Sequence, residues 1–360
     1  MVFVANLDSP NEIKTLDSKN LTSSIEQLDK QCQQVFEEVS KISFDEKLLS
    51  VQKVVVIGMG GSTLGADIVR SAYFSDLKVP LEYVNGYHVP GYVDSKTLVI
   101  LSSYSGTTEE VLAAYQEAKK TGAMILAIAS GGDLAKFVES GEITGYIFEP
   151  KFNPSGQPRM GLGYSVLSQV LILTKLGFLN FTQDDLEKIL KVIDQVNSDS
   201  KIEIQETANS AKKLARKFLS KIPLLFASEH LVGNIHTFAN QLNENAKVIS
   251  AYFSLPEANH HLIEGLSSTD GIRKEVIFFF LKSNLYSPRV LKRYDITRNL
   301  VEKSGYQVVV YEPLSGSGLE QVFEFLTFGS WVSFYLAILY GRDPSPIPNV
   351  DSLKAEMAKE

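Results

Sequence analysis

The feature that most constrains this chain is a strand that runs into a loop of hydroxyl groups. Thr97 to Leu101 (TLVIL) is a short β-branched and apolar run, the pattern of a buried strand, and Val111 to Lys119 places apolar residues at helical spacing. Between them lies Ser102-Ser103-Tyr104-Ser105-Gly106-Thr107-Thr108-Glu109-Glu110, with five Ser or Thr hydroxyls. A loop feeding a helix start offers unpaired backbone N–H groups and the positive end of the helix dipole. With hydroxyl donors added, the place suits a phosphate. A capped helix start with an acidic first turn is the alternative reading, but a cap uses one hydroxyl or two.

The same arrangement occurs earlier. Val54 to Ile57 has a strand pattern, Gly58-Met59-Gly60-Gly61-Ser62 is a glycine turn, and Leu64 to Tyr73 is a helix. The dinucleotide fingerprint requires glycine at 63, where Thr63 stands, and no Gly-Lys-Ser/Thr follows to make a nucleotide-phosphate loop. What remains is either a tight strand-to-helix turn or a loop whose glycines let a ligand approach the backbone. Three glycines within four positions exceed what a turn requires.

Leu81 to Val84, Met124 to Ala129 and Tyr146 to Phe148 add strands, and Glu109 to Lys119 and Leu134 to Val138 add helices. Strands alternating with helices imply a parallel sheet covered on both faces. Such sheets take ligands at the carboxyl ends of their strands. The alternation resumes with strands at Pro223 to Ala227, Val248 to Phe253, Val276 to Leu281 and Gln307 to Tyr311. Helices are expected at His230 to Gln241, Arg289 to Lys303 and Leu319 to Tyr340.

The expected class is therefore α/β, and 360 residues divide naturally into two domains. Residues 1–50 are expected to form an N-terminal helical arm, with Ile25, Leu28, Cys32, Val35 and Val39 along one face. The first domain is expected over 51–180, closed by the apolar helix Tyr164 to Leu176, and a charged helical linker over 181–222. The second domain follows over 223–340 and a tail over 341–360. The basic run Lys212, Lys213, Arg216, Lys217 and Lys221 reads as a solvated helix face.

A net charge of -7 leaves no electrostatic footprint for nucleic acid. The lone cysteine, Cys32, excludes an internal disulfide framework and a cysteine-rich metal cluster, and reads as incidental among its polar neighbours. Met1 to Asp8 has no basic flank with a long apolar run, so no signal peptide is expected. Phe325 to Tyr340 is uncharged but falls short of the roughly 20 apolar residues that span a membrane. A buried core or subunit-interface helix is expected there, and the chain is expected to be cytoplasmic, with no membrane partner.

Pro154-Ser155-Gly156-Gln157-Pro158-Arg159 sets an arginine in a stiff turn, either solvated or paired with a phosphate oxygen or a developing oxyanion. Asn243-Glu244-Asn245-Ala246-Lys247 ends a helix, where the dipole disfavours a carboxylate, so Glu244 is a functional candidate. Pro256-Glu257-Ala258-Asn259-His260-His261 holds two of the five histidines in a loop, where a histidine is either solvent-exposed or catalytic. His230 and His236 are six apart and no H-E-x-x-H appears, so metal binding is not supported. Gly60-Gly61-Ser62-Thr63-Leu64 lacks the final glycine of a hydrolase nucleophile elbow.

In chain order, GMGGSTLGAD (Gly58 to Asp67), SSYSGTTEE (Ser102 to Glu110), Pro158-Arg159, NENAK (Asn243 to Lys247), PEANHH (Pro256 to His261) and GRDPSPIPNVDSLK (Gly341 to Lys354) carry a family likeness. Together they resemble the sugar isomerase (SIS) fold and, within it, the bifunctional phosphoglucose/phosphomannose isomerase family. The resemblance implies two SIS-type, flavodoxin-like domains, each a parallel sheet with helices on both faces. By that resemblance Gly60, Gly61 and Ser62 line the sugar-phosphate pocket, and Ser103, Ser105 and Thr108 hold the phosphate. Glu244 is then the base, Arg159 the stabiliser of the enediolate, and His260 and Lys354 the ring-opening and proton-handling groups. The resemblance further implies no cofactor, no metal, a tail that reaches the active site, and a homodimer in which His260 enters the neighbouring subunit's site. Thr107 stands where the family usually has Asn, and Thr63-Leu64-Gly65-Ala66 departs slightly from its commonest form. Ser345 is a further candidate to assist from the tail.

The chemistry is coherent from below. Aldose–ketose isomerisation opens the ring, then moves a proton between C1 and C2 of a weak carbon acid. Partial burial raises a carboxylate toward the strength this requires. A fixed arginine offsets the enediolate charge, by analogy with oxyanion donors worth roughly 3–4 kcal/mol. Phosphate binding does no chemistry; it fixes the sugar against the base. The expected activity is reversible conversion of glucose 6-phosphate, mannose 6-phosphate or both to fructose 6-phosphate. A non-catalytic sugar-phosphate sensor of the same fold is the alternative, and it could dispense with Glu244, Arg159 and His260. A nicotinamide oxidoreductase is disfavoured by Thr63, and a β-rich zinc-dependent isomerase by the α/β pattern.

Overall fold

The computed structural model describes residues 5–359. Helices α1 (Pro10–Leu16), α2 (Leu21–Glu26) and α3 (Leu28–Val39) open the chain. Then come β1 (Lys53–Ile57), α4 (Gly61–Ala72), β2 (Leu81–Val84), β3 (Thr97–Ser102), α5 (Glu109–Thr121), β4 (Met124–Ala129), α6 (Gly132–Glu139) and β5 (Thr144–Ile147). Three helices follow, α7 (Leu162–Lys175), α8 (Gln183–Ser200) and α9 (Ser210–Phe218). The alternation returns with β6 (Ile222–Ala227), α10 (Val232–Gln241), β7 (Ala251–Ser254), α11 (Asp270–Glu275), β8 (Val276–Leu281), α12 (Pro288–Lys303) and β9 (Gln307–Tyr311). Helices α13 (Gly318–Leu339) and α14 (Pro348–Met357) close the chain.

Both sheets are wholly parallel, in the orders β2-β1-β3-β4-β5 and β7-β6-β8-β9. The winding direction reverses between β1 and β3, and again between β6 and β8. In open α/β sheets such a reversal opens a crevice at the carboxyl ends of the strands. The glycine loop after β1 and the hydroxyl loop after β3 are therefore neighbours at the first crevice.

Successive strand residues point to opposite faces. Val54, Val56, Leu98, Ile100, Leu126 and Ile128 face the main core, which also holds residues of α4 and α7. Val55, Ile57, Val99, Leu101, Ala127 and Ala129 face a second core with Val111, Tyr115 and Leu134 of α5 and α6. Burial on both faces is why these strands read as unbroken apolar runs. In the second sheet Phe226 stacks on Phe278 and Phe280 at 5.6 and 5.0 Å between ring centroids. Phe279, on the opposite face, meets Phe218, Phe238 and Phe325 at 5.8, 5.8 and 6.0 Å. Pairs at these separations add about 0.5–1.5 kcal/mol each beyond the area they bury.

Helix α4 joins the two halves. At Gly233 of α10 an added Cβ would lie 2.5 Å from Ile68 Cα of α4, so the two helices touch at the backbone. The main core accordingly runs continuously from the arm through both sheets.

Some expectations need correcting. Gln31 and Gln34, which look solvent-facing in sequence, are buried beside Cys32, which lies on the packing face as expected. Their amides are spent on the turn-rich passage after β5: Gln31 Nε2 donates to Phe152 O and Met160 O, and Gln34 Nε2 donates to Glu149 O. The basic run on α9 is not wholly solvated, because Lys212 is fully buried and donates to the carbonyls of Ile202 and Ile204 at 3.0 and 2.6 Å. Strand β7 starts at Ala251 and not Val248, since Ser250 N–H is taken by Asn243 Oδ1 at 3.2 Å. Helix α13, the one described helix long and apolar enough to cross a membrane, is buried within the chain from Gln321 to Leu339.

Candidate active site

Thr108 occupies the N-cap position of α5, yet its side chain makes no capping bond. Its hydroxyl instead lies 2.7 Å from Ser103 Oγ, which also accepts from Gly106 N–H at 3.1 Å. The cap reading therefore fails at the residue that would carry it. Thr107 braces the loop: its N–H and hydroxyl both donate to Ser105 Oγ, at 3.3 and 3.1 Å. Ser105 is exposed and Ser103 buried, so the loop presents hydroxyls at two depths around the start of α5.

Ser62 ties the two loops together. Its Oγ accepts from Tyr104 N–H at 2.9 Å, and its carbonyl accepts from Ser102 Oγ at 3.0 Å. Gly61 brings in the arginine: a Cβ there would lie 2.9 Å from the Pro158 carbonyl carbon and 3.0 Å from Arg159 N. Only glycine admits that approach. The neighbouring Gly60 has φ +51, with open space where a side chain would stand.

Arg159 is fully buried, and each of its five N–H groups has a partner. Nε donates to Asn245 Oδ1 at 2.5 Å, and Nη1 to Gln157 Oε1 at 2.8 Å and Glu244 Oε2 at 3.3 Å. Nη2 donates to the carbonyls of Pro344 and Ser345 at 2.9 and 2.8 Å. The guanidinium therefore meets a ligand only by exchanging one of these partners. Glu244 sits in a single π-turn, Leu242–Ala246, that continues α10, with its side chain 28% exposed. Burial raises its carboxyl pKa above the usual 4.5, against the opposing pull of Arg159, then Lys247 and Lys354. The result is a carboxylate of enhanced basicity, ion-paired and still open to solvent.

The structure brings Gly60, Gly61, Ser62, Ser103, Ser105, Thr108, Arg159 and Glu244 into one chain of contacts. Lys354 stands exposed on α14, near enough for its charge to act on Glu244. His260 is not brought in. It is exposed at the end of a 3-10 turn, Glu257–His260, and among the described residues no hydrogen bond or ion pair links it to Glu244, Arg159 or the hydroxyl loop. Ser345 is buried with a hydroxyl that has no partner, while its carbonyl serves Arg159.

Several members of the site escape sequence reasoning. Gln157 and Asn245 hold the guanidinium, and only their closeness in sequence to Arg159 and Glu244 marks them. Asp67 is buried in α4, where it accepts from Arg70 Nη2 at 3.1 Å and pairs with His236 Nδ1 at 2.8 Å across the junction of α4 and α10. His236 is thus a junction residue. No group of three potential metal-ligating His, Cys, Asp or Glu side chains gathers among the described residues.

Known proteins share this sequence pattern. Residues 47–137 match the family described as SIS domain, and residues 207–357 match the bacterial phospho-glucose isomerase C-terminal SIS domain. A bifunctional phosphoglucose/phosphomannose isomerase from Caldicellulosiruptor bescii is 36% identical over 93% of this chain and 98% of its own length. A protein of the same description from Thermoplasma volcanium is 33% identical over 88% of this chain and 96% of its own. Among solved structures, a hypothetical protein from Thermus thermophilus superposes with a TM-score of 0.73 at 16% identity, covering 97% of this chain and 93% of that one. The last likeness concerns the fold; the sequence relatives decide the membership. The chain belongs to the bifunctional phosphoglucose/phosphomannose isomerase family.

Proposed function

We propose that the protein interconverts glucose 6-phosphate and mannose 6-phosphate with fructose 6-phosphate, as a cytoplasmic homodimeric enzyme of carbohydrate metabolism. The observation that carries this reading is Glu244: a carboxylate made more basic by burial, gripped by buried Arg159, and linked through Gly61 to a helix start lined with hydroxyls. In the proposed sequence Ser103, Ser105, Thr108 and the first N–H groups of α5 take the phosphate. His260 and Lys354 open the ring. Glu244 carries the proton between C2 and C1, and Arg159 exchanges a partner to meet the enediolate oxygen. Residues 51–180 and 223–340 then act as two SIS units, with the tail 341–360 completing the site.

A coupled assay with each aldose phosphate, fructose 6-phosphate being the common product, tests this. Both sugars are expected to be converted. Tight binding of the sugar phosphates without turnover would instead make the protein a sensor. Replacing Ser105 and Thr108 together by Ala is expected to raise KM about 10–100-fold and change kcat less, since two donors to a charged group are lost at about 1.5–3 kcal/mol each, part of it recovered by water. A KM equal to the parent's removes the phosphate role from this loop.

The homodimer is supported by two features of the surface. His260 is exposed and, among the described residues, its side chain makes no hydrogen bond or ion pair, and α14 exposes Val350, Leu353 and Met357 at 39, 63 and 50%, three and four residues apart along one stripe. A helix with no buried residue and an apolar stripe is suited to covering by a second copy.

A further inference from the structure

We propose that Lys247 is a positioning residue: it ties the turn that carries Glu244 to the tail segment 342–345, and so fixes the carboxylate against Arg159. The proposal rests on the isomerase reading above. Lys247 ends the π-turn in the left-handed region, with φ 56 and ψ 42, a place that glycine fills without strain. Its side chain returns over the turn, where Nζ donates to Asn245 O at 3.0 Å and to Asp343 O at 2.8 Å. One ammonium therefore spans the residue after Glu244 and the tail.

Two arginines complete the tie from either side. Arg342 Nη1 donates to Ala246 O and Lys247 O at 3.2 and 3.0 Å. Arg159 Nη2 holds the Pro344 and Ser345 carbonyls, as described. Asp343 uses its carboxylate for other hydrogen bonds, accepting from Ser345 N–H at 2.9 Å and from the Ser18 hydroxyl of the arm. The tail thus lies flat on the turn, bound through backbone carbonyls by three cations, and Arg159 belongs both to this tie and to the Glu244 ion pair.

The charge of Lys247 is costly where it stands. Burial first, then Arg159, push the amine down to about 8, with Arg342 opposing the charge as well and Asp343 and Glu244 favouring it. A passive tie between carbonyls would not require a cation beside two guanidiniums. A cation here also acts on the base, because the Lys247 charge favours the ionised form of Glu244. Orientation and basicity of the carboxylate are coupled through one side chain.

Lys247→Met and Lys247→Gly, made in the full-length protein, test this. The first removes the ammonium and keeps the bulk; the second also relieves the left-handed backbone, which favours folding. Both are expected to lower kcat more than about 10-fold, the scale of a small misplacement of reacting groups, with KM for fructose 6-phosphate within about 3-fold of the parent. The acid limb of kcat/KM is expected to move to higher pH, and Lys247→Arg to restore part of kcat and return the limb. Variants that lose thermal stability but keep the parental kcat and acid limb overturn the proposal, leaving a structural tie only. The parent is assayed alongside. A parent that converts no sugar phosphate overturns the isomerase reading, whereas an active parent with unaltered variants overturns the Lys247 assignment alone.

Discussion

Glu244→Gln is expected to bind glucose 6-phosphate nearly as the parent does and to lose isomerisation by about 10²–10⁴-fold, the contribution of a positioned general base. The substitution keeps the volume and an acceptor oxygen for Arg159 Nη1, but it removes the negative charge that faces the buried guanidinium, so some stability is expected to be lost along with activity. What is lost is the negative charge, and with it the basicity that takes the proton. The same residue is expected to set the acidic side of the pH profile. The base works only when ionised, so kcat/KM falls as pH drops through the free-enzyme pKa. Burial holds that pKa above the ordinary 4.5, with Arg159 as the chief opposing influence, and the acid limb is expected correspondingly high. Steady-state kinetics across pH, with binding followed by calorimetry, reads both effects. Turnover by Glu244→Gln within a few-fold of the parent removes Glu244 from the proton transfer.

Local chemistry made much of this legible in sequence. The central strands β1, β3, β4, β6 and β8 are nearly continuous apolar runs because both faces are covered, and that pattern needs no tertiary information. The hydroxyl loop was legible for the same reason: its hydroxyls outnumber what a cap uses, and Thr108 indeed turns away from capping. What sequence could not reveal was where long polar side chains go. Gln31 and Gln34 look like solvent residues beside Cys32, but their amides satisfy carbonyls of the passage that carries Arg159. Lys212 looks like part of a charged face and is buried under carbonyls. Amides and lysines of this kind acquire partners far away in sequence, and nothing in the local pattern distinguishes them from solvated neighbours. Arg159 illustrates both halves. Its stiff setting marked it, but its saturation by Glu244, Asn245, Pro344 and Ser345 depends on segments 85 to 186 positions away.

His260 lies outside the hydrogen-bond network around Arg159 and Glu244, and subunit mixing is expected to show where it acts. Glu244→Gln and His260→Ala should each be nearly inactive alone, the second by about 10²–10⁴-fold if His260 transfers the proton that opens the ring. In a symmetric dimer whose histidine crosses to the neighbour, a hybrid of the two variants pairs an intact Glu244 with an intact His260 at one of its sites. The other site carries both lesions. Random assembly makes half of the dimers hybrid, so co-expression of the two chains is expected to restore about one quarter of the parental activity. The exposed position of His260, and a hydrogen-bond network around Arg159 that omits it, are what favour this outcome over a within-chain role. Purification through two different tags isolates the hybrid, whose activity per dimer is then expected near one half of the parent's, a single working site. A hybrid no more active than its two parents would place His260 in the site of its own chain. Hydrogen exchange of the 3-10 turn over Glu257–His260, with and without fructose 6-phosphate, would then register its engagement with the sugar.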